Sequence, residues 1–306
     1  FHPIRTYLNG LVWDTSPRLD EWLSTYCHAE DTPYTRAVGS KTLIGAVARG
    51  LHPGCKMDTV PILEGFQGIG KSETWRVLAG DAWFADELPN VGDKDAAQSL
   101  RGKWIIELGE LSALRHYETN ALKSFISRRS DHYRPSYGKV AVDFPRCNIF
   151  VGSTNQATYF DDETGNRRYW PVALTDACDI DALRRDRDQL WSEAVVRYSA
   201  GETWWLSKDI EKLAAAEQAP RVEPDGLETE VLEYLSHIDS EKEKRDFVTL
   251  NEILRHLFVD QLQHFTPANT KRIARILRFH HWVGGHTRRD KVTGKQFKVF
   301  VRSTTP

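Results

Sequence analysis

Eight consecutive residues, Gly65-Phe66-Gln67-Gly68-Ile69-Gly70-Lys71-Ser72, constrain this chain more than any other stretch. They match G-x-x-x-x-G-K-[ST] in full, between an apolar run (Val60-Pro61-Ile62-Leu63) and a helix-compatible one over 73–79. Strand, glycine loop and helix in that order let backbone N–H groups and a helix N-terminus face a phosphate group. Gly65, Gln67, Gly68, Ile69, Gly70, Lys71, Ser72 and Glu73 are therefore the candidate nucleotide-binding set. Lys71 is expected to reach the β- and γ-phosphates of ATP, and the Ser72 hydroxyl to ligate Mg²⁺.

The rest of the chain agrees with an α/β architecture. From about 59 to 206, short β-rich apolar runs (59–63, 104–107, 148–151 and 169–172) alternate with helical stretches. That is the pattern of a mostly parallel sheet covered by helices. Before it, Ile4, Tyr7, Leu8 and Leu11 recur at helical spacing, and Trp22-Leu23 and the stretch 38–47 continue the helical reading. The expected organisation is a helical segment over 1–55 packing on the core, a phosphate-loop domain over 56–213, a linker over 214–226 and a small C-terminal domain over 227–306. The linker is read from AAAEQAPRVEPDG, rich in small, polar and proline residues.

Composition excludes some classes. No run of eighteen apolar residues exists, so no membrane helix is expected. Cys27, Cys55, Cys147 and Cys178 show no CxxC pairing, against a zinc site or disulfide framework and for reduced thiols. The net charge of -2 is uninformative by itself. The opening Phe1-His2-Pro3 has neither an initiator Met nor a signal pattern, and the chain reads as a piece of something longer.

Three later stretches supply what a nucleoside triphosphatase needs. Lys103-Trp104-Ile105-Ile106-Glu107 is an apolar strand ending in an acid, with Glu110 three residues on. Glu107 is assigned to the metal and the attacking water; Glu110 is either a second catalytic acid or a charge at a helix N-terminus. An aspartate followed directly by a glutamate would be the usual acid pair, and this chain departs from it. Next, the run from Asn148 ends in Gly152-Ser153-Thr154-Asn155, and an amide at a strand end can orient attacking water. Finally, Arg167 and Arg168 stand in a loop before a strand, and arginine neutralises charge on a transferring phosphoryl group, in cis or from a neighbouring subunit. Sequence does not choose between the two.

The order of these motifs resembles the virulence-associated protein E family of phage and genomic-island ATPases and, more distantly, superfamily 3 and poxvirus-type primase-helicases. The resemblance also rests on Val12-Trp13-Asp14-Thr15-Ser16-Pro17-Arg18-Leu19, on 100–111, 122–135 and 162–171, and on Gln189-Leu190-Trp191-Ser192-Glu193-Ala194. It implies an AAA+-like core, a closed homo-oligomeric ring (often a hexamer), ATP-driven movement on single-stranded or forked DNA, and a primase or other domain N-terminal to this chain. It implies the cytoplasm of a bacterial host as location. It also implies a helix and hairpin over 122–146 aimed at the ring's channel. There Lys123, Arg128, Arg129, Arg134 and Lys139, with Tyr133 and Tyr137 between them, suit a single strand, since cations track phosphates and rings stack on bases. Arg134 equally suits a nucleotide site at a subunit interface.

The C-terminal stretch reads as three helices (227–237, 250–258 and 269–279) and a β-ribbon (282–285 and 297–301), the order of a winged helix-turn-helix. Its third helix and ribbon carry Lys271, Arg272, Arg275, Arg288 and Arg289 among other cations, which fits phosphate contact or, alternatively, protein contact. Two functions follow: an ATP-dependent DNA helicase or translocase in replication initiation of a phage or mobile element, or an ATP-switched DNA-binding regulator that unwinds nothing. A small-molecule kinase would leave Asn155, the arginine pair and the basic tail unexplained.

Overall fold

The computed structural model describes residues 2–86, 88, 96–108, 119–135, 138–160, 166–222, 225–240, 246–259, 262–289 and 294–302. The chain divides into two compact units, Phe1–Glu223 and Pro224–Pro306.

The first unit opens with helices α1 (Pro3–Asn9), α2 (Trp22–Cys27) and α3 (Pro33–Leu51). A capping box fixes the start of α3: the Thr32 hydroxyl accepts from Thr35 N, the Thr35 side chain answers Thr32 N, and Pro33 fills the first turn. There follow β1 (Val60–Glu64), α4 (Lys71–Ala79), β2 (Phe84–Ala85), α5 (Ala96–Ser99), β3 (Ile105–Leu108), α6 (Thr119–Ile126), β4 (Ser130–Tyr133), β5 (Val142–Pro145), β6 (Ile149–Thr154) and β7 (Tyr169–Ala173). Helices α7 (Ile180–Ser199) and α8 (Lys208–Gln218) close the unit.

Five strands form one parallel sheet in the order β2-β3-β6-β1-β7. Every residue of β1 and β3 is buried, as expected of strands covered on both faces. The four apolar runs read from the sequence are β1, β3, β6 and β7, within one residue at either end except that β6 runs three residues further, to Thr154. An α/β fold with a parallel central sheet is thus present.

One face is sealed by α3, α4 and α7 over an aromatic cluster. The Trp104 and Trp191 rings lie 4.2 Å apart, and their indole N–H groups donate to Ala46 O (3.0 Å) and Leu78 O (2.9 Å). Two signatures from the sequence meet here. Asp14 N donates to Gln189 Oε1 (2.8 Å), and Arg18 N and Leu19 N both donate to the buried Glu193 Oε2 (2.6 and 2.9 Å). The segment 12–19 and residues 189–193 of α7 are therefore structural partners.

The 214–226 linker reading needs correction. Ala214 to Gln218 are the last turns of α8, because alanine is the best helix former and its clustering marks helix here rather than a spacer. The Gln218 amide reaches Tyr169 O (2.7 Å), and Arg221 is bound to Glu64. Those residues belong to the first unit.

The second unit contains α9 (Glu228–Ser240), β8 (Phe247–Val248), α10 (Leu250–Leu257), α11 (Pro267–Phe279), β9 (Trp282–Arg289) and β10 (Gln296–Arg302). Strands β8, β10 and β9 pair antiparallel in that order. A capping box between Thr249 and Glu252 starts α10, and Val231, Ile253, Ile273 and Leu277 make the centre of a separate core.

Candidate functional site

In an open parallel sheet the carboxyl ends of the strands form the crevice where ligands bind. Three of them meet here. β1 runs out into the loop 65–70, whose end is the N-terminus of α4. Gly70 holds φ +90° and Gly65 φ +150°, and a Cβ at Gly65 would stand 2.6 Å from Ile69 Cδ1. A side chain at either position would be strained by the positive φ, which glycine adopts freely. Trp75 pins α4 to the sheet by donating to Gly152 O (3.2 Å).

Lys71 Nζ donates to Gly65 O (2.8 Å), Phe66 O (2.6 Å) and Asn155 Oδ1 (2.7 Å). Burial lowers its pKa below the ordinary lysine value, with nearby Cys178 and Glu107 opposing. Ser72 Oγ donates to Glu107 Oε1 (2.8 Å), as does Ser153 Oγ (2.5 Å). Glu107, at the end of β3, is 2% exposed. Its burial pushes the carboxyl above the usual carboxylate range, while the two hydroxyls pull the other way. Lys71, Ser72, Glu107 and Asn155, read from three separate stretches of sequence, therefore stand in one cleft of about 730 Å³. Glu73 and Gln67 also line it.

Ser153, Arg76, Asp86 and Gln156 also line that cleft, and the sequence alone assigns them no role. Ser153 precedes Thr154 and Asn155 at the end of a run already singled out, so its proximity to Glu107 was findable. Asp86 follows a two-residue strand that leaves no periodic signal. Arg76 lies one helical turn beyond Ser72 and reaches Asp86 Oδ2 (3.2 Å).

Glu110 and Tyr137 fall outside the described residues. Arg167 and Arg168 lie at the opposite end of the sheet. In the β1–β7 register Val60 stands beside Tyr169 and Glu64 beside Ala173, so the arginine pair is level with the start of β1 while the loop leaves its end. The separation along the strand is ~13 Å, from four residue steps. Arg168 Nε donates to Ser127 Oγ (3.2 Å), and Arg167 is exposed. A role for either in the cleft of its own chain is not compatible with that placement.

The hairpin β4–β5 roots at the same end as the arginine pair. Gly54 N donates to Arg146 O (2.9 Å), and Arg129 Nε to Gly54 O (2.9 Å). Within it, Arg146 makes a buried two-pronged bond to Asp131 (2.6 and 2.7 Å) and lies over Phe125. Lys123 is 8% exposed, on the inward side of α6, so the strand-facing set loses it: its position on an amphipathic helix, not its charge, decides where it points. Arg128, Arg129, Arg134 and Lys139 are exposed.

In the second unit the cations are partly engaged. Arg272 and Arg275 clamp Asp225 (each 2.6 Å), Arg288 reaches Asp246 (2.7 Å), and Arg289 donates to Gly294 O (2.9 Å). Lys271 and Lys298 are exposed. No helix among the described residues is long and apolar enough to cross a membrane.

Comparison with known proteins gives a family and a fold. The profile described as virulence-associated protein E-like domain matches residues 8–223. Among curated proteins no match is found. Among solved structures the chain is similar to apo structures of the NrS-1 C-terminal region. One superposes with a TM-score of 0.55 at 15% identity, covering 97% of this chain and 78% of that one. An A-form structure of the same region gives 0.54 at 14% identity, with the same coverage.

Proposed function

The chain belongs to the virulence-associated protein E-like family, and on that premise we propose that it is a Mg²⁺-dependent ATPase that drives movement of DNA in replication of a phage or mobile genetic element. The observation that carries the reading is the convergence of Lys71, Ser72, Glu107 and Asn155 at the carboxyl ends of three neighbouring strands. A strand order that puts the loop strand between the Asn155 strand and the strand behind Arg167 and Arg168 supports an AAA+-like core.

On ATP binding, Lys71 exchanges its two loop carbonyls and the Asn155 oxygen for the β- and γ-phosphates. That exchange releases Asn155 to orient water at the γ-phosphate. The donor set fits Mg²⁺, which is held by few protein oxygens plus substrate phosphates: the Ser72 hydroxyl and the Glu107 carboxylate already lie 2.8 Å apart. Once bound there, Mg²⁺ supplies charge neutralisation on the transferring group. Glu107, at the metal's side of the cleft, is also placed to orient the attacking water and accept its proton. Arginine from a neighbouring copy completes the site, since this chain's own pair lies at the far end of the sheet. Hairpin residues Arg128, Arg129, Arg134 and Lys139 are read as strand contacts.

The second unit, with its helix–strand–helix–helix–hairpin order, is read as a winged helix whose exposed Lys271 and Lys298 meet phosphates. That unit favours one competing reading, an ATP-switched DNA-binding regulator. Steady-state ATP hydrolysis with and without single-stranded DNA separates the two. Stimulation by DNA that disappears in Lys71→Ala is the expected result; turnover indifferent to DNA supports the switch, and turnover unchanged in Lys71→Ala removes the catalytic assignment.

A further inference from the structure

The phosphate loop and Asn155 are joined by more than the ammonium between them. Glu64 is the last residue of β1, directly before Gly65, and its carboxylate is almost entirely buried. Tyr159 Oη donates to Glu64 Oε1 (2.5 Å). Arg221 donates to both oxygens of the same carboxylate, Nε to Oε1 (2.8 Å) and Nη2 to Oε2 (2.7 Å), and its Nη1 holds Glu217 (2.8 Å). The carbonyl of Arg221 accepts from Tyr159 N and Phe160 N (both 3.0 Å), and Phe160 bridges to Val222.

These contacts close a circuit. It runs from Glu64 to Gly65, whose carbonyl holds Lys71 Nζ, then to Asn155 Oδ1, and along 156–158 to Tyr159, which returns to Glu64. Arg221 grips that circuit twice, with its guanidinium on the loop side and its backbone on the Asn155 side. A buried ion pair is weak evidence for stability, because desolvation offsets much of the attraction. What a two-pronged arginine–carboxylate bond supplies is orientation. The side chain tied down is the one adjoining the phosphate loop, and the segment tied down is the one leaving Asn155.

We propose that Arg221 is a positioning residue for ATP hydrolysis: it sets the separation of the phosphate loop from Asn155 through Glu64 and Tyr159. The inference rests on the hydrolysis reading above. Arg221 touches no part of the cleft itself, so it acts through those two residues.

The test uses the full chain and compares wild type with Arg221→Gln, Arg221→Lys, Tyr159→Phe, Glu64→Gln and the Glu64→Gln/Arg221→Gln pair. Measured are kcat, KM for ATP and the melting temperature. Displacement of a catalytic group by about 1 Å costs up to ~100-fold in rate. Arg221→Gln is expected to lower kcat at least about tenfold with KM changed far less, and lysine, a point charge without the fork, to restore part of the loss. The double variant is expected to lose little more than either single one, as residues acting as a unit do. Tyr159→Phe removes one hydroxyl and leaves the ion pair, so it remains readable if Arg221→Gln does not fold; a several-fold loss of kcat at near wild-type melting temperature is expected. Unchanged kcat per folded molecule in these variants, whatever their melting temperature, overturns the inference alone. Wild-type chain without any turnover overturns the hydrolysis reading, and this inference with it.

Discussion

Glu107 is a carboxyl whose burial raises its pKa, and that has a thermodynamic sign. A folded state that binds the proton more tightly than the unfolded one loses stability as pH rises from the unfolded value through the raised one. Ionised Glu107 therefore costs the fold stability at neutral pH. Replacing it with glutamine is expected to raise the melting temperature, by about 2–4 °C per kcal/mol recovered in a unit of this size. The gain should shrink to nothing at acid pH, where the wild-type carboxyl is protonated in both states. ATP turnover of the same variant should fall by at least about 100-fold, so melting and turnover curves together separate a functional burden from a structural group. The residues in this cleft that were legible in sequence are those that end a strand or close a motif, because chain position alone then fixes their height on the sheet. Arg76 and Asp86 were not legible: their place follows from which strand lies beside which, and sequence order does not state that.

At the scale of elements, the far ends of β1 and β7 make a clear prediction for the arginine pair. Chains carrying Lys71→Ala and chains carrying Arg167→Ala or Arg168→Ala should each be inactive for whichever arginine completes the site. Mixed in equal amounts they should recover turnover, because about a quarter of head-to-tail junctions join an intact loop to an intact arginine. Failure to recover would put the arginine's effect inside one chain. The hairpin offers a second measurement. Arg134→Ala and Lys139→Ala should each lower the salt dependence of single-strand binding by about 0.7 units of slope and leave the melting temperature near wild type. Lys123→Ala should lower the melting temperature instead, since that side chain is packed inside. The four strands of five or so apolar residues were readable from composition, but β2 and β8, two residues each, gave no periodicity to read. Ala214 to Gln218 misled for a physical reason: small residues suit both a spacer and a helix, and only the packing of Gln218 and Arg221 decides.

For the whole molecule, division at Glu223 agrees with a family match that ends at the same residue. The C-terminal unit has its own core and its own acid–arginine clamp. The pairing of Glu64 with Arg221 spans 157 positions and had no trace in the sequence, as a contact between two unremarkable charged residues rarely does. The parallel sheet gives the first unit a direction, with phosphate loop at one end and arginine pair at the other. If the arginine of one copy completes the loop of the next, as proposed, a head-to-tail row of n copies contains n − 1 finished sites, whereas a closed circle contains n. Specific activity per copy should therefore climb steeply as dilute chains first pair, flatten while rows lengthen, and reach its ceiling only when the two loose ends find each other. Turnover plotted against protein concentration is thus a way of counting ends.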